Sequence, residues 1–348
     1  MEDPHLFQFE EYDFSKPWSG LHEDPNDDLL QIVLRTKAFQ RLNYIRFLGG
    51  IDYAMKKSPN GKSGNLRYTR FQHSLGVARL ALYYCNLKNL SLKDRRLVSL
   101  AALLHDIGHA PLSHSLEPVF KEYFDIDHHK ATKEIILGRS PLGSELHEVL
   151  KTTSIDLERL VAIIEGKESG FDDFFNGPIN FDTIEGIMRT QVFLRRRPTF
   201  KSPETVVRAA ISRSNSRDKK IVDEFWAIKN ETYHNIINSK IGLLADLACQ
   251  FYMRKNIKAM KYSDYFCDEE QIFKKLKGLH QLLTSSDLEV VMANHIGSTL
   301  NFKTRNFYIN SNANFFDRAD TERYRQSKEL ASLTLHKKNQ PVQELLNL

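Results

Sequence analysis

Apolar residues recur at helical spacing through most of this chain, and that periodicity restricts its fold more than any other feature of the sequence. Residues 75–87 show the pattern clearly. A second apolar run, 97–104, follows a capping-box signature at 91–94, and it can continue only to about Ile107 because glycine and proline follow in 108–111. The sequence therefore predicts two neighbouring helices in this part of the chain.

Further helix signals are spread over the rest of the chain, whereas strand signals are few. Helix starts and amphipathic helical stretches occur at 153–156, 202–204, 222–260 and 286–289. The strand candidates are 51–55 and 66–68, joined by a turn-rich segment. We therefore predict an all-α (mainly α) fold with one short β-hairpin.

The overall composition is that of a folded protein. Of the 348 residues, 41% are hydrophobic and 27% are charged, which is too apolar for general disorder. No apolar run approaches the ~18 residues that a membrane span requires, and residues 1–14 show neither the basic start nor the apolar core of a secretory signal. The three cysteines lie far apart and form no CxxC pattern, so we expect a thiol-reduced, cytoplasmic protein.

Charge is distributed unevenly along the chain. Residues 1–28 hold nine acids and one lysine, a net of −8, so the rest of this +5 chain carries +13. Residues 195–220 hold nine bases and two acids, a net of +7, which is typical either of a solvated surface or of a site for phosphates or nucleic acid. We expect an acidic N-terminal arm (1–28), a helical body (29–265) and a C-terminal helical extension (266–348).

The residues that indicate chemistry lie in the segment LLHDIGHAPLSH, 103–114. His105 and Asp106 come directly after an apolar helix, where a buried charge needs a partner or a metal ion. Imidazole and carboxylate together suit several divalent metals. A single His-Asp pair is also common by chance, so the pair alone does not establish a metal site.

Two other stretches can supply further ligands. His73 lies at the entry to the 75–87 helix, and antiparallel pairing of that helix with its neighbour would bring His73 to His105 and Asp106. Asp182 offers another carboxylate, although an aspartate in that position is by itself typical of a helix N-cap. A histidine, a His-Asp pair and a distant aspartate, each flanked by helical apolar residues, together favour a metal site.

These motifs resemble those of the HD-domain phosphohydrolase superfamily. More narrowly they are similar to its dNTP triphosphohydrolase branch, which includes bacterial dGTPases and a mammalian dNTPase that joins a SAM domain to an HD domain. The likeness extends over about 29–300, and its most specific parts are TRFQHSLGVA and HDIGHAPLSH. Shorter matches are 39–42, 48–50, His128 with Thr132, Asp182 with Arg189, Asn230 and 240–242. The resemblance implies an HD-domain helical fold, in agreement with the apolar periodicity.

The resemblance implies four ligands for one divalent metal ion: His73, His105, Asp106 and Asp182. These ligand types leave the ion open among Mn, Mg, Fe, Zn, Ni and Co. The resemblance further implies three residues that bind substrate phosphates: Arg70, Arg189 and Lys240. A guanidinium three residues before a metal ligand, as at Arg70, can pair with two phosphate oxygens.

The resemblance also implies a set of catalytic residues: His109, His114, Glu117 and His128. His109 matches a histidine that contacts the reacting phosphates, and His114 matches a second active-site histidine. Glu117 is expected to pair with His128, with His129 as the rival. A His–Glu couple of this kind can serve as general acid for the leaving oxygen.

Three positions depart from the branch. Thr183 and Gly186 stand where it usually has a basic residue and an aromatic residue beneath the sugar, and Ile237 replaces a second aromatic residue. We expect a metal-dependent phosphohydrolase that acts on nucleotides, with a metal-activated water releasing nucleoside and triphosphate from dNTPs as the first hypothesis. The alternatives are a phosphodiesterase or nucleotidase acting on another nucleotide or on nucleic acid, and a non-catalytic nucleotide sensor. The resemblance alone implies a homo-oligomer.

Overall fold

The computed structural model describes residues 28–55, 68–168, Phe175, 177–194, 202–317 and 322–336. Within these ranges the chain forms sixteen α-helices and one two-stranded antiparallel sheet, so the predicted mainly α fold is confirmed. None of the helices in these ranges combines the length and the hydropathy needed to cross a membrane. The acidic arm before Asp28 and the basic residues 195–201 lie outside the described ranges.

Nine helices come before residue 168. They are α1 (Asp28–Arg35), α2 (Lys37–Gln40), α3 (Gly50–Ala54), α4 (Arg70–Leu87), α5 (Leu92–Leu104), α6 (Glu117–Phe124), α7 (His128–Ile136), α8 (Glu145–Lys151) and α9 (Leu157–Ile164).

Seven helices and two strands follow. They are α10 (Phe181–Phe193), α11 (Pro203–Ser212), α12 (Ser216–Thr232), α13 (Lys240–Lys255), α14 (Glu269–Lys275), α15 (Leu279–Thr284), α16 (Leu288–Ile296), β1 (Thr299–Ile309) and β2 (Tyr324–Thr334).

Helix α4 passes through the core and carries His73 into it. Twelve of its 18 residues are buried, and it begins with a capping box in which the Thr69 side chain accepts a hydrogen bond from the backbone N–H of Gln72. Helix α5 packs along α4, as the sequence predicted. It ends at Leu104 rather than near Ile107, because the chain turns tightly there and the Ile107 N–H donates to the Leu104 carbonyl.

The predicted helical stretch 222–260 is divided in two. Helix α12 ends at Thr232, and a π-helical turn occupies Tyr233–Ile237. Helix α13 then begins after Ser239, whose Oγ accepts a hydrogen bond from the backbone N–H of Gly242 at 3.1 Å. A serine that satisfies a free N–H in this way starts a new helix.

The predicted hairpin of 51–55 with 66–68 is wrong. Residues 51–54 belong to helix α3, where Ile51, Asp52 and Tyr53 are buried in succession. A half-buried strand would bury alternate residues, so consecutive burial fits a short helix instead. Of the expected partner strand, only Tyr68 lies in the described ranges.

The observed hairpin lies near the C-terminus, in a region that we expected to be helical. Residues 266–296 are mostly helical, but β1 and β2 then pair from Thr299 opposite Thr334 to Ile309 opposite Tyr324. The hairpin packs on α12. There the Trp226 indole N–H donates to the Tyr308 carbonyl at 3.1 Å, and Arg323 forms an ion pair with Asp223 at 2.6 Å.

Candidate active site

Three separate stretches of the chain converge on one point. The first turn of α4 provides Arg70 and His73, the residues after α5 provide His105 and Asp106, and the first turn of α10 provides Asp182. His73 is fully buried, whereas the Asp182 side chain is 55% exposed. The cluster is therefore closed on the α4 side and open beside Asp182.

The side chains of this first cluster approach within metal-binding range of one another. His73 Nε2 lies 3.0 Å from an Asp182 oxygen and 3.5 Å from an Asp106 oxygen. His105 Nε2 lies 3.4 Å from the other Asp106 oxygen and 3.9 Å from Asp182. The ligand atoms of His73, His105 and Asp106 all fall within 4.8 Å of one another. The structure thus brings together all four residues that the sequence predicted as metal ligands.

The hydrogen bonds of His105 fit a cation between its ring and the carboxylates of Asp106 and Asp182. Nδ1 of His105 donates to the Ala102 carbonyl at 2.8 Å, which leaves Nε2 with a lone pair. That buried Nε2 has no hydrogen-bond partner among the described residues, and it faces the carboxylates of Asp106 and Asp182. A lone pair aimed at carboxylates is unfavourable unless a cation lies between them, so the donor set fits a divalent metal ion.

Glu185 supports His73 from behind. Its carboxylate lies 2.5 Å from His73 Nδ1 and forms an ion pair with Arg189, which also donates to the Gln72 carbonyl at 3.0 Å. Burial lowers the pKa of His73, but the charge of Glu185, the hydrogen bonds of Asp182 and Glu185 and the charge of Asp106 outweigh it and raise that pKa to about 9. The potential around His73 is thus strongly negative.

Helix α4 leaves room for this arrangement at Gly76. A Cβ at that position would collide with the carboxylate of Glu185, so any larger residue would push Glu185 away from His73. Glycine at this position is therefore part of the site, although it touches no ligand directly.

Arg70 joins the metal cluster to a neighbouring turn. Its Nη1 donates to Asp106 Oδ2 at 2.6 Å, and its Nε donates to Ser113 Oγ at 3.0 Å. Burial raises the pKa of Asp106, but His105, His109 and Arg70 outweigh it and keep that pKa well below its usual range. Asp106 is therefore held as a carboxylate.

A second cluster, of histidines, adjoins the first. His109 Nε2 lies 3.1 Å from Asp106 Oδ1, and the His109 ring stacks on the His128 ring at 4.7 Å with an angle of 4° between their planes. The His114 ring lies edge-on to His109, also at 4.7 Å. His128 Nδ1 lies 2.7 Å from a Glu117 oxygen, so the structure pairs Glu117 with His128 rather than with His129.

The surroundings shift the pKa values of His109 and His128 in opposite directions. Burial, together with the charge of Arg70, holds the pKa of His109 well below its usual value. Burial also lowers the pKa of His128, but its hydrogen bond and charge interaction with Glu117 outweigh burial and raise it. An imidazole with a lowered pKa therefore stacks on one with a raised pKa, an arrangement in which one site can hold an acceptor and an acid.

Comparisons with known proteins agree with this geometry. A family model of the HD domain matches residues 70–165, the segment that supplies Arg70, three of the four ligands and the histidine cluster. Residues 70–165 therefore form an HD domain, which supports the resemblance to the HD-domain phosphohydrolase superfamily. The chain is similar to deoxynucleoside triphosphate triphosphohydrolase SAMHD1 of Gallus gallus, with 31% identity over 155 residues, which is 41% of this chain and 24% of that protein.

Two other relatives extend the comparison beyond the HD domain. An uncharacterized protein of Mycoplasma genitalium, MG461, is 26% identical over 267 residues, which cover 70% of this chain and 59% of that protein. The chain thus spans less than two thirds of the length of either curated relative. The crystal structure of a hypothetical protein from Aquifex aeolicus has a TM-score of 0.62 with 18% identity, covering 88% of this chain and 92% of that one, and shows the same fold.

Two of the residues expected to bind substrate phosphates, Arg189 and Lys240, instead form ion pairs with glutamates. Arg189 is fully buried behind His73, where it neutralises Glu185. Lys240, at the start of α13, forms an ion pair with Glu289 of α16 at 2.5 Å. The geometry therefore makes Arg189 a support of the metal cluster, and it places the Lys240 ammonium against α16.

Phe47 is a site residue that the sequence did not indicate. Its ring lies 4.7 Å from the His73 ring and 5.0 Å from the Arg70 guanidinium, measured to the Phe47 centroid. A Cβ at Gly186 would approach the Phe47 ring to 3.1 Å. Gly186 thus faces an aromatic ring that comes from a different part of the chain.

Lys229 is a second residue that sequence reasoning missed. Its Nζ donates to the Pro178 carbonyl at 3.1 Å and lies over the rings of Trp226 and Phe307. Burial lowers the pKa of Lys229 to about 8, and the charge of Asp182 opposes that shift. A basic group therefore does stand near Asp182, although Thr183 is uncharged. The α12 helix and β1 of the hairpin, rather than α10, position it.

Proposed function

We propose that this chain is a metal-dependent phosphohydrolase acting on nucleotides, and that it hydrolyses dNTPs to nucleoside and triphosphate. The observation that carries the proposal is the convergence of His73, His105, Asp106 and Asp182, from three separate stretches, around one point beside Arg70. The printed name of its relative from Gallus gallus, a deoxynucleoside triphosphate triphosphohydrolase, supports the choice of substrate.

A divalent cation held by those four side chains supplies Lewis acidity toward a phosphoryl oxygen and a water. The chain's own residues then orient the substrate. Arg70 is fixed by Ser113 on one side and Asp106 on the other, so its guanidinium is set in one direction beside the metal cluster. A guanidinium held in this way pairs with phosphate oxygens at a small entropic cost.

Proton delivery to the leaving group falls to His128. In the proposed reaction a water oxygen bonds to the α-phosphorus and the water releases a proton to solvent, while the bond from that phosphorus to the 5′ oxygen breaks and the 5′ oxygen takes a proton from His128 Nε2. Glu117 holds His128 Nδ1 at 2.7 Å and favours the charged imidazolium that this step needs. His109, which is neutral, is suited to contact the reacting phosphate.

Phe47 provides a partly exposed aromatic ring beside the metal cluster. It stands beside His73 and opposite Gly186, so the space left by the small residue is partly filled from another segment. We propose that the nucleoside packs against this ring. The site therefore has an aromatic ring even though Gly186 supplies none.

The test is a hydrolysis panel on a single preparation. The purified chain with Mn²⁺ is incubated with each dNTP and each rNTP, and products are separated to detect tripolyphosphate and nucleoside. We expect tripolyphosphate from at least one dNTP. If no nucleotide releases it while metal analysis shows a bound ion, the triphosphohydrolase assignment is wrong.

A second candidate is a phosphodiesterase or nucleotidase acting on another phosphorylated substrate. Ile237, which lies where a second aromatic residue was expected, is the observation that favours it. The same preparation can be tested with bis-p-nitrophenyl phosphate. Cleavage of this diester together with inert dNTPs would favour the second candidate.

A further inference from the structure

Glu269 is a buried carboxylate that ties together three segments around the site. It opens helix α14 and is 4% exposed. One oxygen accepts the backbone N–H groups of Arg46 at 2.8 Å and Leu112 at 3.2 Å, and the other accepts the Tyr53 hydroxyl at 2.5 Å. No residue of the metal cluster or the histidine cluster, as described above, touches it.

The two backbone segments that Glu269 holds, at Arg46 and Leu112, are both connected to Arg70 through Ser113. The Arg46 carbonyl accepts a hydrogen bond from Ser113 Oγ at 2.8 Å, and the same Oγ accepts from Arg70 Nε at 3.0 Å. Leu112 directly precedes Ser113. Glu269 therefore fixes the residue before Ser113 and the carbonyl partner of Ser113 at the same time.

The turn that Glu269 holds is strained. Leu112 and Ser113 have φ values of 57° and 48°, in the left-handed region that L residues rarely adopt. Two such residues in succession persist only when surrounding contacts hold them in place. The bond from the Leu112 N–H to Glu269 is such a contact, and it comes from a residue 157 positions away in the chain.

We propose that Glu269 is a positioning residue for phosphate binding: through the Leu112–Ser113 turn and the Arg46 carbonyl it sets the direction of the Arg70 guanidinium. This inference rests on the proposed function, since Arg70 is taken as the group that binds substrate phosphate. It assigns to the region after residue 266 a part in substrate binding that no sequence motif indicates.

The titration of Glu269 gives the proposal a distinctive signature. Burial raises its pKa to about 7, while its hydrogen bonds from Tyr53 and Arg46 lower it and the charge of Asp52 raises it. Cys249 of α13 also faces it. Protonation turns one carboxylate oxygen from an acceptor into a donor, so phosphate binding should weaken as pH falls through about 7.

The experiment measures binding of inorganic tripolyphosphate by calorimetry, in the Mn²⁺-loaded full chain, at several pH values. The variants are Glu269→Gln and, as a matched control, Glu270→Gln, whose side chain is 78% exposed and pairs with Lys274. At pH 8 we expect Glu269→Gln to weaken binding roughly 10-fold with unchanged Mn²⁺ content, because a displaced guanidinium loses orientation. Glu270→Gln should bind as the wild type does.

The pH dependence separates positioning from a general structural role. The acid-side loss of binding should be smaller in Glu269→Gln than in wild type, since the variant has no carboxyl to protonate. Tyr53→Phe keeps the carboxylate but removes a hydrogen bond that lowers its pKa, so the loss should begin at higher pH. This second variant tests the proposal even if Glu269→Gln does not fold.

Two results would overturn the inference. The first is that Glu269→Gln and Tyr53→Phe both bind tripolyphosphate with the affinity and the pH profile of the wild type. This result would show that Glu269 has no part in phosphate binding, and it would leave the proposed function intact. The second is that the wild type binds no tripolyphosphate at any of the pH values tested. This result would reject phosphate binding by Arg70 and the proposed function with it.

Discussion

Two clusters of side chains meet at Asp106, and they differ in their balance of carboxylates and imidazoles. The metal cluster joins His73 and His105 to two carboxylates, with Glu185 as a third behind them. The histidine cluster joins His109, His114 and His128 to the single carboxylate of Glu117.

This difference in composition explains a difference in chemistry. Where carboxylates outnumber other charges, the potential is negative and a cation is favoured, and His105 Nε2 has no other hydrogen-bond partner among the described residues. Where imidazoles predominate, a carboxylate has its largest effect on the ring that it holds most closely, which for Glu117 is His128 at 2.7 Å and not His114 at 3.8 Å. Burial and Arg70 lower the pKa of His109, while Glu117 raises the pKa of His128. The first cluster is suited to bind a cation and the second to move a proton.

The largest expected effect comes from the residue that both clusters share. Asp106→Asn should lose bound metal and reduce turnover by roughly 10³-fold or more, since a metal ion supplies several kcal/mol of transition-state stabilisation. Metal analysis and nucleotide hydrolysis measure the two losses. Asp125→Asn, at an aspartate with an 89% exposed side chain, is the matched control. An Asp106→Asn protein that keeps both metal and turnover would show that the clusters do not depend on this residue.

An intermediate effect is expected in the histidine cluster alone. His128→Asn should lower kcat by ~10²–10⁴-fold while metal content stays constant, as loss of a general acid does. His129→Asn, at the neighbouring residue without the Glu117 contact, should have little effect. Comparable losses in the two variants would reverse the assignment of the acid.

The pH dependence of kcat also tests the assignment of His128 as the general acid. The pKa of His128 is raised in the folded protein, so the acid form persists to higher pH than usual and kcat should fall on the alkaline side. Glu117→Gln removes the main group that raises this pKa. The alkaline fall should then move to lower pH, and a profile that does not move would separate Glu117 from proton transfer.

The smallest expected effect concerns the support of the metal cluster. Glu185→Gln keeps the shape of the side chain but weakens its hold on His73 Nδ1, and loss of such an outer contact typically costs 10–100-fold in metal affinity. Metal titration of the apo protein measures it. Glu204→Gln, at a buried glutamate paired with Arg79 at 2.9 Å, is the control. Equal affinities would mean that packing alone orients His73.

Much of the helical framework could be predicted because its signals are local. Caps at Thr69 and Ser91 and the apolar spacing between them lie within one stretch of chain, so they fix α4 and α5 without reference to the rest. The ligand types in HDIGH, with His73 and Asp182, likewise indicated a metal site before any distance was known.

Glu185 and strand β1 also have local sequence signals, which sequence reasoning missed. Glu185 follows Asp182 by three residues and precedes Arg189 by four, which places all three near one face of α10. Burial also alternates along 299–309, and Leu300 and Phe302 carry that alternation in the sequence, although the Asn and Lys residues around them are depleted in strands.

The sequence by itself determined the helices and the kinds of side chain that make up the site, because capping, periodicity and ligand chemistry act over a few residues. Only the tertiary structure decided what stands behind and beside those side chains. Glu185 reaches His73 across 112 residues, and Glu269 reaches Tyr53 across 216. Contacts between such distant positions depend on how the helices pack, and no local pattern encodes that packing.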